Sequence, residues 1–436
     1  MNRLRPLTAL VLFLTIFTIP KSYADNLDGC RIQASADQTV SLGFPLRTER
    51  LSSLSKSKIL VVPFKLKDNP SYTFSDSIKA DYLTAAQNIS NLSNGQANVE
   101  FVFAPTISTD LTNADMVQLK INQRDQWQKD ESKSTWGFVR KFIADNDAQL
   151  DYSGMNAVII EGSSTSNSSD IAEAFMFWEN PKNPWFRPIQ TNEGKIFNAV
   201  LLDNDSSQQT ITHEIMHLYG LTDLYGTDTG PGQLSLMASN QLNLLSYEKW
   251  VLGWLPNSEV TCIPNLSRQV ITNFTFDNTN VDQLAVIRAP NEDAYIVETT
   301  RFFGKKAVAF YSLNNDRRPP IILHQDRTQG QYPGIEIEDN RAIGSQLKAP
   351  NFTLLITNIE PTKISFSLAP TALLESNEYK ELVSKSSQNR STIDQKAKEA
   401  AASATKKKTT ITCVKGKTTK KITAVSPKCP TGYKKR

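Results

Sequence analysis

The stretch from His213 to Asp223 places the tightest constraint on how this chain can fold. It reads His-Glu-Ile-Met-His-Leu-Tyr-Gly-Leu-Thr-Asp. Residues four apart lie one turn apart on the same face of an α-helix, so a helix here would bring the imidazoles of His213 and His217 to a single ligand. Glu214 follows at about 100° around the helix axis, beside the histidines. The spacing therefore predicts a helix with one functional face.

The residues around this stretch favour the same helix. Ser206 followed by Gln209 predicts a capping box at its N-terminus. Gly220 tolerates the left-handed conformation that ends helices, so the chain can turn back and bring Asp223 to the histidines. An apolar stripe nearly opposite the histidines would pack into the core, and it consists of Ile211, Ile215 and Leu218.

The chemistry of these side chains indicates a catalytic zinc site. Zinc accepts histidine and carboxylate ligands, and three protein ligands leave a fourth position open for water. With His213, His217 and Asp223 as metal ligands, Glu214 is placed to act as the general base on that water. The same pattern also occurs by chance on solvated helices or at metal sites without catalysis. However, the chain has three histidines, and two of them are here.

The N-terminus predicts export. Arg3 and Arg5 precede the apolar run Leu10–Ile19, and Ser22-Tyr23-Ala24 resembles a signal-peptidase site, so residues 1–24 are interpreted as a signal peptide. No later segment approaches the roughly 20 apolar residues of a membrane span. We therefore expect a secreted, extracellular protein.

The four cysteines of an exported protein predict disulfide bonds. Three pairings are possible. The spacing favours a long bridge between Cys30 and Cys262 and a local bridge between Cys413 and Cys429. A second interpretation makes Cys30 a thiolate that caps the zinc until a propeptide is removed.

The net charge is unevenly distributed. The chain totals +4, but residues 396–436 contain thirteen basic residues and one acidic residue, a net +12, which leaves −8 for the rest. A basic tail on an exported protein favours anionic cell-wall polymers first, then membrane surfaces, and nucleic acid last. We expect no nucleic-acid partner. A merely solvated tail is the alternative.

Hydrophobic patterns divide the mature chain into five segments. These are an N-terminal strap or short pro-segment (25–57), a catalytic domain (58–262), a β-rich domain (263–370), an Ala-, Ser- and Lys-rich linker that is partly helical at most (371–410) and a basic tail that needs its disulfide (411–436).

The first large segment is predicted to be a small α+β domain with the motif helix packed under a sheet. Strands are predicted at residues 59–64, 99–103, 157–160 and 196–202, and helices at residues 78–92, capped by Ser75, and 136–144. The strand just before the motif helix is expected to be the sheet edge beside the cleft. An extended peptide could pair with this edge through its backbone.

The second large segment is predicted to be a β-sandwich-like domain, because short strands follow one another closely. They lie at residues 284–288, 294–300, 307–313, 320–324, 352–356 and 364–368. His324 falls in one of them and is interpreted as an ordinary strand histidine, against a smaller chance of a substrate contact.

With these motifs assembled, the chain resembles the immune inhibitor A family of secreted bacterial metallopeptidases. The resemblance covers roughly residues 58–370, and its motif portion is quite specific. It rests on the His213-to-Asp223 motif with Leu224-Tyr225, on Leu236-Met237-Ala238, on Trp250 with Gly253-Trp254-Leu255, and on Tyr295-Ile296-Val297-Glu298. It implies a metzincin-like zincin in which Asp223 replaces the usual third histidine and Met237 is the Met-turn residue beneath the histidines.

The chain also departs from this pattern. Some metzincin-type enzymes have a tyrosine two residues after the Met-turn methionine, where this chain has Ser239. Tyr225 and Tyr247 are the candidates for stabilising the transition state instead. Family members often bind Ca²⁺, for which Asp203-Asn204-Asp205 and Asp277-Asn278 could supply oxygens, although such clusters are also common in turns.

Taken together, these features predict a secreted zinc metalloendopeptidase that acts on protein or peptide substrates. Two alternatives remain: a non-catalytic cell-surface binding protein, and an envelope processing peptidase or amidase of narrow specificity. The sequence gives neither a cleavage preference nor an oligomeric state.

Overall fold

A computed structural model describes residues 27–34, 38–126, 130–163, 171–180, 186–203, 206–225, 230–239, 241–289, 294–302, 304–317, 320–324, 335–337, 342–404 and 409–436 of the 436-residue chain. The predicted signal peptide lies outside the described residues. Within the described ranges, no helix has the length and apolarity needed to cross a membrane.

A mostly parallel sheet forms the centre of the N-terminal half. The strands of this half are β1 (Lys56–Lys65), β2 (Asn98–Phe103), β3 (Ile107–Ser108), β4 (Ala157–Gly162), β5 (Ala172–Met176), β6 (Ile189–Gln190), β7 (Lys195–Ile196) and β8 (Asn198–Asp203). The main sheet has the order β2-β1-β4-β8-β5, with β3 paired to the end of β1, while β6 and β7 form a separate ribbon. All pairs in the main sheet are parallel except β5 with β8.

Helices cover both faces of this sheet. They are α1 (Asp76–Leu92), α2 (Asn113–Gln126), α3 (Thr135–Asp145) and α4 (Gln208–Tyr219), followed by the short α5 (Ser246–Val251). Alternate residues of β1 point to opposite faces, so Val61 packs in the core with α1 and α4, while Val62 packs in the core with α2 and α3. Because both faces are covered, β4 and β8 are buried along their whole length.

Most of the predicted elements of this half are present, including α1 with its Ser75 cap, whose hydroxyl accepts from Ile78 N. Helix α2 was not predicted because it is mostly polar. The predicted cap of the motif helix is wrong by one residue: Ser207 accepts from Thr210 N, and Ser206 contacts Asp203 instead. Two adjacent serines fit the same pattern, and only the backbone position decides between them.

The prediction of the sheet edge is also wrong. Strand β8 precedes α4 directly but lies inside the sheet, between β4 and β5. The edge on this side of the sheet is β5, which runs antiparallel to β8 and contacts α4. Its sequence, Ala-Glu-Ala-Phe-Met, does not alternate strongly enough to predict a strand.

Two antiparallel-rich sheets follow. Their strands are β9 (Val260–Ile263), β10 (Thr272–Asp277), β11 (Gln283–Ile287), β12 (Ala294–Phe302), β13 (Lys305–Leu313), β14 (Ile321–Leu323), β15 (Ile335–Glu336), β16 (Gln346–Lys348), β17 (Phe352–Glu360) and β18 (Lys363–Pro370). One sheet has the order β14-β13-β12-β11-β9, with β15 paired to β13, and the other has the order β10-β18-β17-β16. An apolar core that includes Val297, Phe310 and Phe366 lies between them.

The sheet containing β12 is buried on both faces. Val297 faces the second sheet, whereas Ile296, one residue earlier, belongs to the core that also contains Ile215 of α4 and Trp250 of α5. The β-rich region therefore shares a hydrophobic core with the motif helix. Strand β9 pairs with β11, so the segment boundary predicted at residue 262 falls inside a strand of this sheet.

The C-terminal part differs from its prediction. Residues 377–404 form one long helix, α6 (Asn377–Ala404), where a linker helical at most in part was predicted. Its first turns pack on the second sheet through Tyr379, next to Ile271 and Leu355. Alanine and lysine favour helices, so the low apolar content that suggested a linker did not prevent helix formation. Strands β19 (Thr409–Lys415), β20 (Thr418–Ala424) and β21 (Lys434–Lys435) end the chain.

Candidate metal centre

Helix α4 carries the motif and is held at both ends. Ser207 caps its N-terminus, and Gly220 ends it in the left-handed conformation with φ 110°. A Cβ atom at Gly220 would also lie 3.1 Å from the side chain of Leu46. The left-handed conformation therefore favours glycine here, and the close approach of Leu46 adds to this preference. The predicted apolar stripe, Ile211, Ile215 and Leu218, is buried.

The candidate ligand atoms form a nearly equilateral triangle. The Nε2 atoms of His213 and His217 lie 3.1 Å apart, and Asp223 Oδ1 lies 3.1 Å from the first and 3.2 Å from the second. Zinc binds such atoms at about 2.0–2.1 Å. Donor atoms 3.1–3.2 Å apart are close enough for His213, His217 and Asp223 to hold one such ion, which would supply Lewis-acid chemistry here. Two imidazole nitrogens and one carboxylate oxygen are a donor set that suits zinc.

Two backbone carbonyl groups fix the orientation of the imidazoles. His213 Nδ1 lies 3.0 Å from the oxygen of Leu236, and His217 Nδ1 lies 2.7 Å from the oxygen of Leu221. A carbonyl oxygen only accepts, so each Nδ1 carries the hydrogen and donates it, which leaves the Nε2 atom of each ring to bind a proton or a metal ion. Two lone pairs and a carboxylate oxygen this close repel one another unless a cation lies between them.

The pKa values of His217 and Asp223 also indicate that this centre attracts positive charge. Burial lowers the pKa of His217, but the hydrogen bond and charge of Asp223 and the charge of Glu214 outweigh it and raise this pKa to about 9. Burial raises the pKa of Asp223, but the hydrogen bonds and charges of the two histidines hold it well below its usual range. The donor set thus suits a divalent cation.

Glu214 lies beside the triangle. Its carboxylate and the two imidazoles form a group whose ligand atoms all lie within 4.8 Å of one another. Apart from these three side chains and Asp223, no other group of three or more His, Cys, Asp or Glu side chains this close occurs within the described ranges. Burial raises the pKa of Glu214, and the two histidines oppose this shift. Asp223 is the carboxylate that contacts both Nε2 atoms, and Glu214 lies beside them.

The predicted Met-turn segment lies next to the centre. Met237 is fully buried, its carbonyl accepts from Leu224 N, and the preceding carbonyl of Leu236 is the one that orients His213. Ser235 holds this turn, because its hydroxyl accepts from Met237 N at 3.0 Å and donates to Glu248 at 2.8 Å.

Glu248 and Glu298 are functional supports that the sequence did not reveal. Burial raises the pKa of Glu248 to about 7 and that of Glu298 to about 8. Glu298 accepts from the amides of Ser246 and Tyr247 at the start of α5. Although Glu298 belongs to a stretch that carries the family resemblance, nothing in its local sequence predicts burial.

The N-terminal strap, which we define as residues 27–34 and 38–53, covers the C-terminal end of α4. Ser41 N donates to Gly220 O, Arg50 Nη1 to Tyr219 O and Leu51 N to Leu218 O, each at 2.8 Å. These three successive carbonyl groups would otherwise lack partners at the helix end. The strap therefore caps the C-terminal end of the motif helix.

Both predicted disulfides are present. Cys30 is bonded to Cys262, and Cys413 to Cys429. The alternative in which Cys30 caps the zinc is wrong, because its sulfur is bonded to the start of the β-rich region and cannot act as a thiolate.

The two candidate tyrosines lie in different surroundings. Tyr225 is 58% exposed, its ring stacks 6.1 Å from that of His213, and it hydrogen-bonds to Asp223. Burial and the charge of Asp223 raise its pKa, so the phenol stays protonated. Tyr247 is fully buried and packs against Trp250, so it cannot touch a substrate.

Other candidates have ordinary roles. Residues 204–205 of the first calcium candidate lie outside the described residues, and the Asp203 carboxylate accepts from Ile171 N. Asp277 accepts from the amide and hydroxyl of Thr279, as in a turn. His324 packs against Tyr295 and Phe310 and is 9% exposed, and burial lowers its pKa to about 4, so it is neutral.

Comparisons with known proteins do not show a family for this chain. No protein family and no curated protein matches the chain. Among solved structures, the chain is similar to metalloproteinase-II from Bacteroides fragilis, with 16% identity, a TM-score of 0.28, and coverage of 50% of this chain and 59% of that chain. A TM-score this low does not establish a shared fold. The resemblance to the immune inhibitor A family stays a prediction.

Proposed function

We propose that this protein is a secreted zinc-dependent endopeptidase. The observation that carries the proposal is the triangle of His213 Nε2, His217 Nε2 and Asp223 Oδ1, with edges of 3.1–3.2 Å and the buried Glu214 beside it. When bound, zinc would polarise the scissile carbonyl group and make water more acidic. The two disulfides agree with an oxidising compartment.

The side chains of the centre divide the work. His213, His217 and Asp223 hold the metal ion. Glu214 accepts a proton from the attacking water and returns it to the departing amine, as a general base and then a general acid. Tyr225 is exposed and hydrogen-bonded beside the ligands, so its phenol is positioned to donate to the oxygen on which negative charge develops.

Strand β5 supports a peptide as the substrate. It is the edge of the main sheet, it runs antiparallel to β8, and it contacts the metal-binding helix. An extended peptide can pair with such an edge through its backbone, largely independently of sequence. A strand-like binding mode accommodates chain on both sides of the cleaved bond, which suits an endopeptidase.

Substitution of Glu214 by Gln tests the proposal, because it keeps the shape and removes the base. We expect the variant to bind zinc at the wild-type stoichiometry and to lose nearly all cleavage of an unfolded protein substrate. Glu360→Gln, on the exposed end of β17, is the matched control and should keep full activity. An active Glu214→Gln protein would refute the assignment.

Cleavage assays with the wild-type protein distinguish the remaining candidate functions. If zinc-loaded protein cleaves no member of a peptide library, a non-catalytic binding role is favoured. If it cleaves a few related sequences only, the protein is a processing peptidase rather than a broad endopeptidase.

A further inference from the structure

The end of the chain forms a small folded unit that the proposed peptidase function does not use. We call residues 409–436 the tail module. Its sheet has the order β20-β19-β21, its hairpin turns at Gly416 with φ 58°, and the Cys413–Cys429 disulfide closes it. Cys413 and Ile411 are its buried side chains. A unit this small depends on its disulfide for stability.

The tail module is densely and uniformly basic. It has seven lysines and one arginine and no acidic residue, and all eight cations are exposed. They are Lys415, Lys417, Lys420, Lys421, Lys428, Lys434, Lys435 and Arg436. Within the described ranges, none of them forms an ion pair. Lys420 Nζ lies 5.3 Å from the centre of the Tyr433 ring. So much unneutralised charge costs stability unless an anion binds.

The strand register places lysines on both faces of the sheet. Cys413 pairs with Lys420 on one side and with Lys435 on the other, so these lysines share one face. The neighbouring positions point the opposite way, because side chains alternate along a strand. Lys421, which pairs with Thr412, and Lys434, which pairs with Val414, therefore share the other face.

This arrangement favours a linear polyanion over a flat surface. A bilayer can contact one face of the sheet, whereas a flexible polymer can follow both. Val425 is the large apolar side chain exposed in the tail module, at 45%, so nothing there resembles an apolar surface for membrane insertion.

The same residues disfavour nucleic acid. Binding of single strands combines charge with exposed aromatic rings on which bases stack. Tyr433 is the aromatic residue of the tail module, and it is partly buried and covered by Lys420. Lysine is also a point charge without the forked geometry by which arginine reads bases and phosphates.

Threonine side chains supply the remaining surface. Thr410, Thr412 and Thr423 share the face of Lys421 and Lys434, and the hydroxyl groups of Thr410 and Thr423 lie 2.7 Å apart. Hydroxyl groups between lysines can hydrogen-bond to the hydroxyl groups of a polyol or a sugar. The surface thus offers charge and polar contacts together.

We propose that the tail module binds a linear anionic glycopolymer, whose repeats carry phosphate or carboxylate groups on a hydroxyl-bearing, non-aromatic backbone. Such binding would retain the exported protein at an anionic envelope surface. It is independent of the proposed peptidase function, since it requires neither the metal nor Glu214.

Binding of the full-length protein to defined polymers tests the proposal. The probes are poly(glycerol phosphate) and polygalacturonate, with neutral dextran, single-stranded DNA and phosphatidylglycerol vesicles for comparison, at physiological ionic strength. The variants are Lys420→Gln with Lys435→Gln on one face, and Lys421→Gln with Lys434→Gln on the other. The matched control replaces Lys348 and Lys363, exposed on β16 and β18, by Gln.

We expect the wild type to bind at least one of the two glycopolymers more tightly than DNA or vesicles, and the stronger of the two identifies phosphate or carboxylate as the recognised group. Each tail double variant should weaken binding roughly 25-fold, at about fivefold per lysine, and the control should not weaken it. Lys421→Arg with Lys434→Arg should keep most of the affinity.

Three results would overturn the proposal: no binding to either glycopolymer, tighter binding to DNA or vesicles, or a loss confined to one face. Lys420 also contacts Tyr433, so the Lys421 and Lys434 variant is the safer probe if the other disturbs the fold. Resistance of Cys413 and Cys429 to thiol labelling reports that the tail module is intact. None of these measurements depends on peptide cleavage.

Discussion

The carboxyl group of Glu298 should make the stability of the protein depend strongly on pH. It is fully buried on β12 and accepts hydrogen bonds from Ser246 N and Tyr247 N at 3.1 Å and from the Tyr311 hydroxyl at 2.8 Å. Burial raises its pKa from 4.5 to about 8, the hydrogen bonds oppose the shift, and Glu248 adds to it. Glutamine at this position would keep the shape without an ionisable group.

The sign and size of the effect follow from this shift. Below pH 4.5 the carboxyl group is protonated in both the folded and the unfolded chain, so its contribution to the free energy of unfolding is fully present. Between pH 4.5 and about 8, the unfolded chain releases the proton and the folded protein keeps it, so unfolding becomes easier as pH rises. At 1.36 kcal/mol per pH unit, Glu298 should lower the free energy of unfolding of the wild type by roughly 5 kcal/mol over this window. Glu298→Gln lacks the ionisable group, so its free energy of unfolding should not show this decrease.

Urea denaturation of the wild type and of Glu298→Gln at several values between pH 4 and 9 measures the effect. The difference between their free energies of unfolding should move in favour of the variant by roughly 5 kcal/mol as pH rises. Glu360→Gln, on the exposed end of β17, should give a constant difference. Parallel curves for the wild type and Glu298→Gln would refute the reasoning, because they would show that burial does not hold the proton.

Three further outcomes are expected. Asp223→Ala removes one corner of the ligand triangle and should weaken zinc binding roughly 100-fold or more; unchanged zinc content after dialysis would exclude Asp223 as a ligand. Tyr225→Phe should lower kcat roughly 100-fold with little change in KM or zinc content, and an equal change in both constants would contradict its role at the developing charge. Serine at both Cys30 and Cys262 opens a loop with a sequence separation of 232 and should lower the free energy of unfolding by roughly 5 kcal/mol; a loss below about 1 kcal/mol in urea denaturation would contradict the chain-entropy argument.

Local spacing predicted the motif helix and its chemistry. His213 and His217 need only the helical repeat to share a face, and Gly220 needs only its own backbone freedom to end the helix. Similarly, the predicted signal peptide and the even number of cysteines favoured disulfides, and the spacing of the cysteines favoured the Cys30–Cys262 pair, which the structure contains. The position of the cap, Ser207 in place of Ser206, shows the limit of this approach, since adjacent residues of the same kind cannot be separated by spacing.

Long-range packing decided the rest of the candidate site. The sequence did not predict that β5 forms the edge of the sheet, that Arg50 binds a carbonyl of α4 169 positions away, or that Glu298 holds the start of α5. Such contacts depend on how sheets and helices stack, and residues close in space there are far apart in the chain. The sequence by itself therefore determined which side chains can bind a metal ion. Only the tertiary structure decided how they are held, because burial and long-range hydrogen bonds arise after the elements have packed.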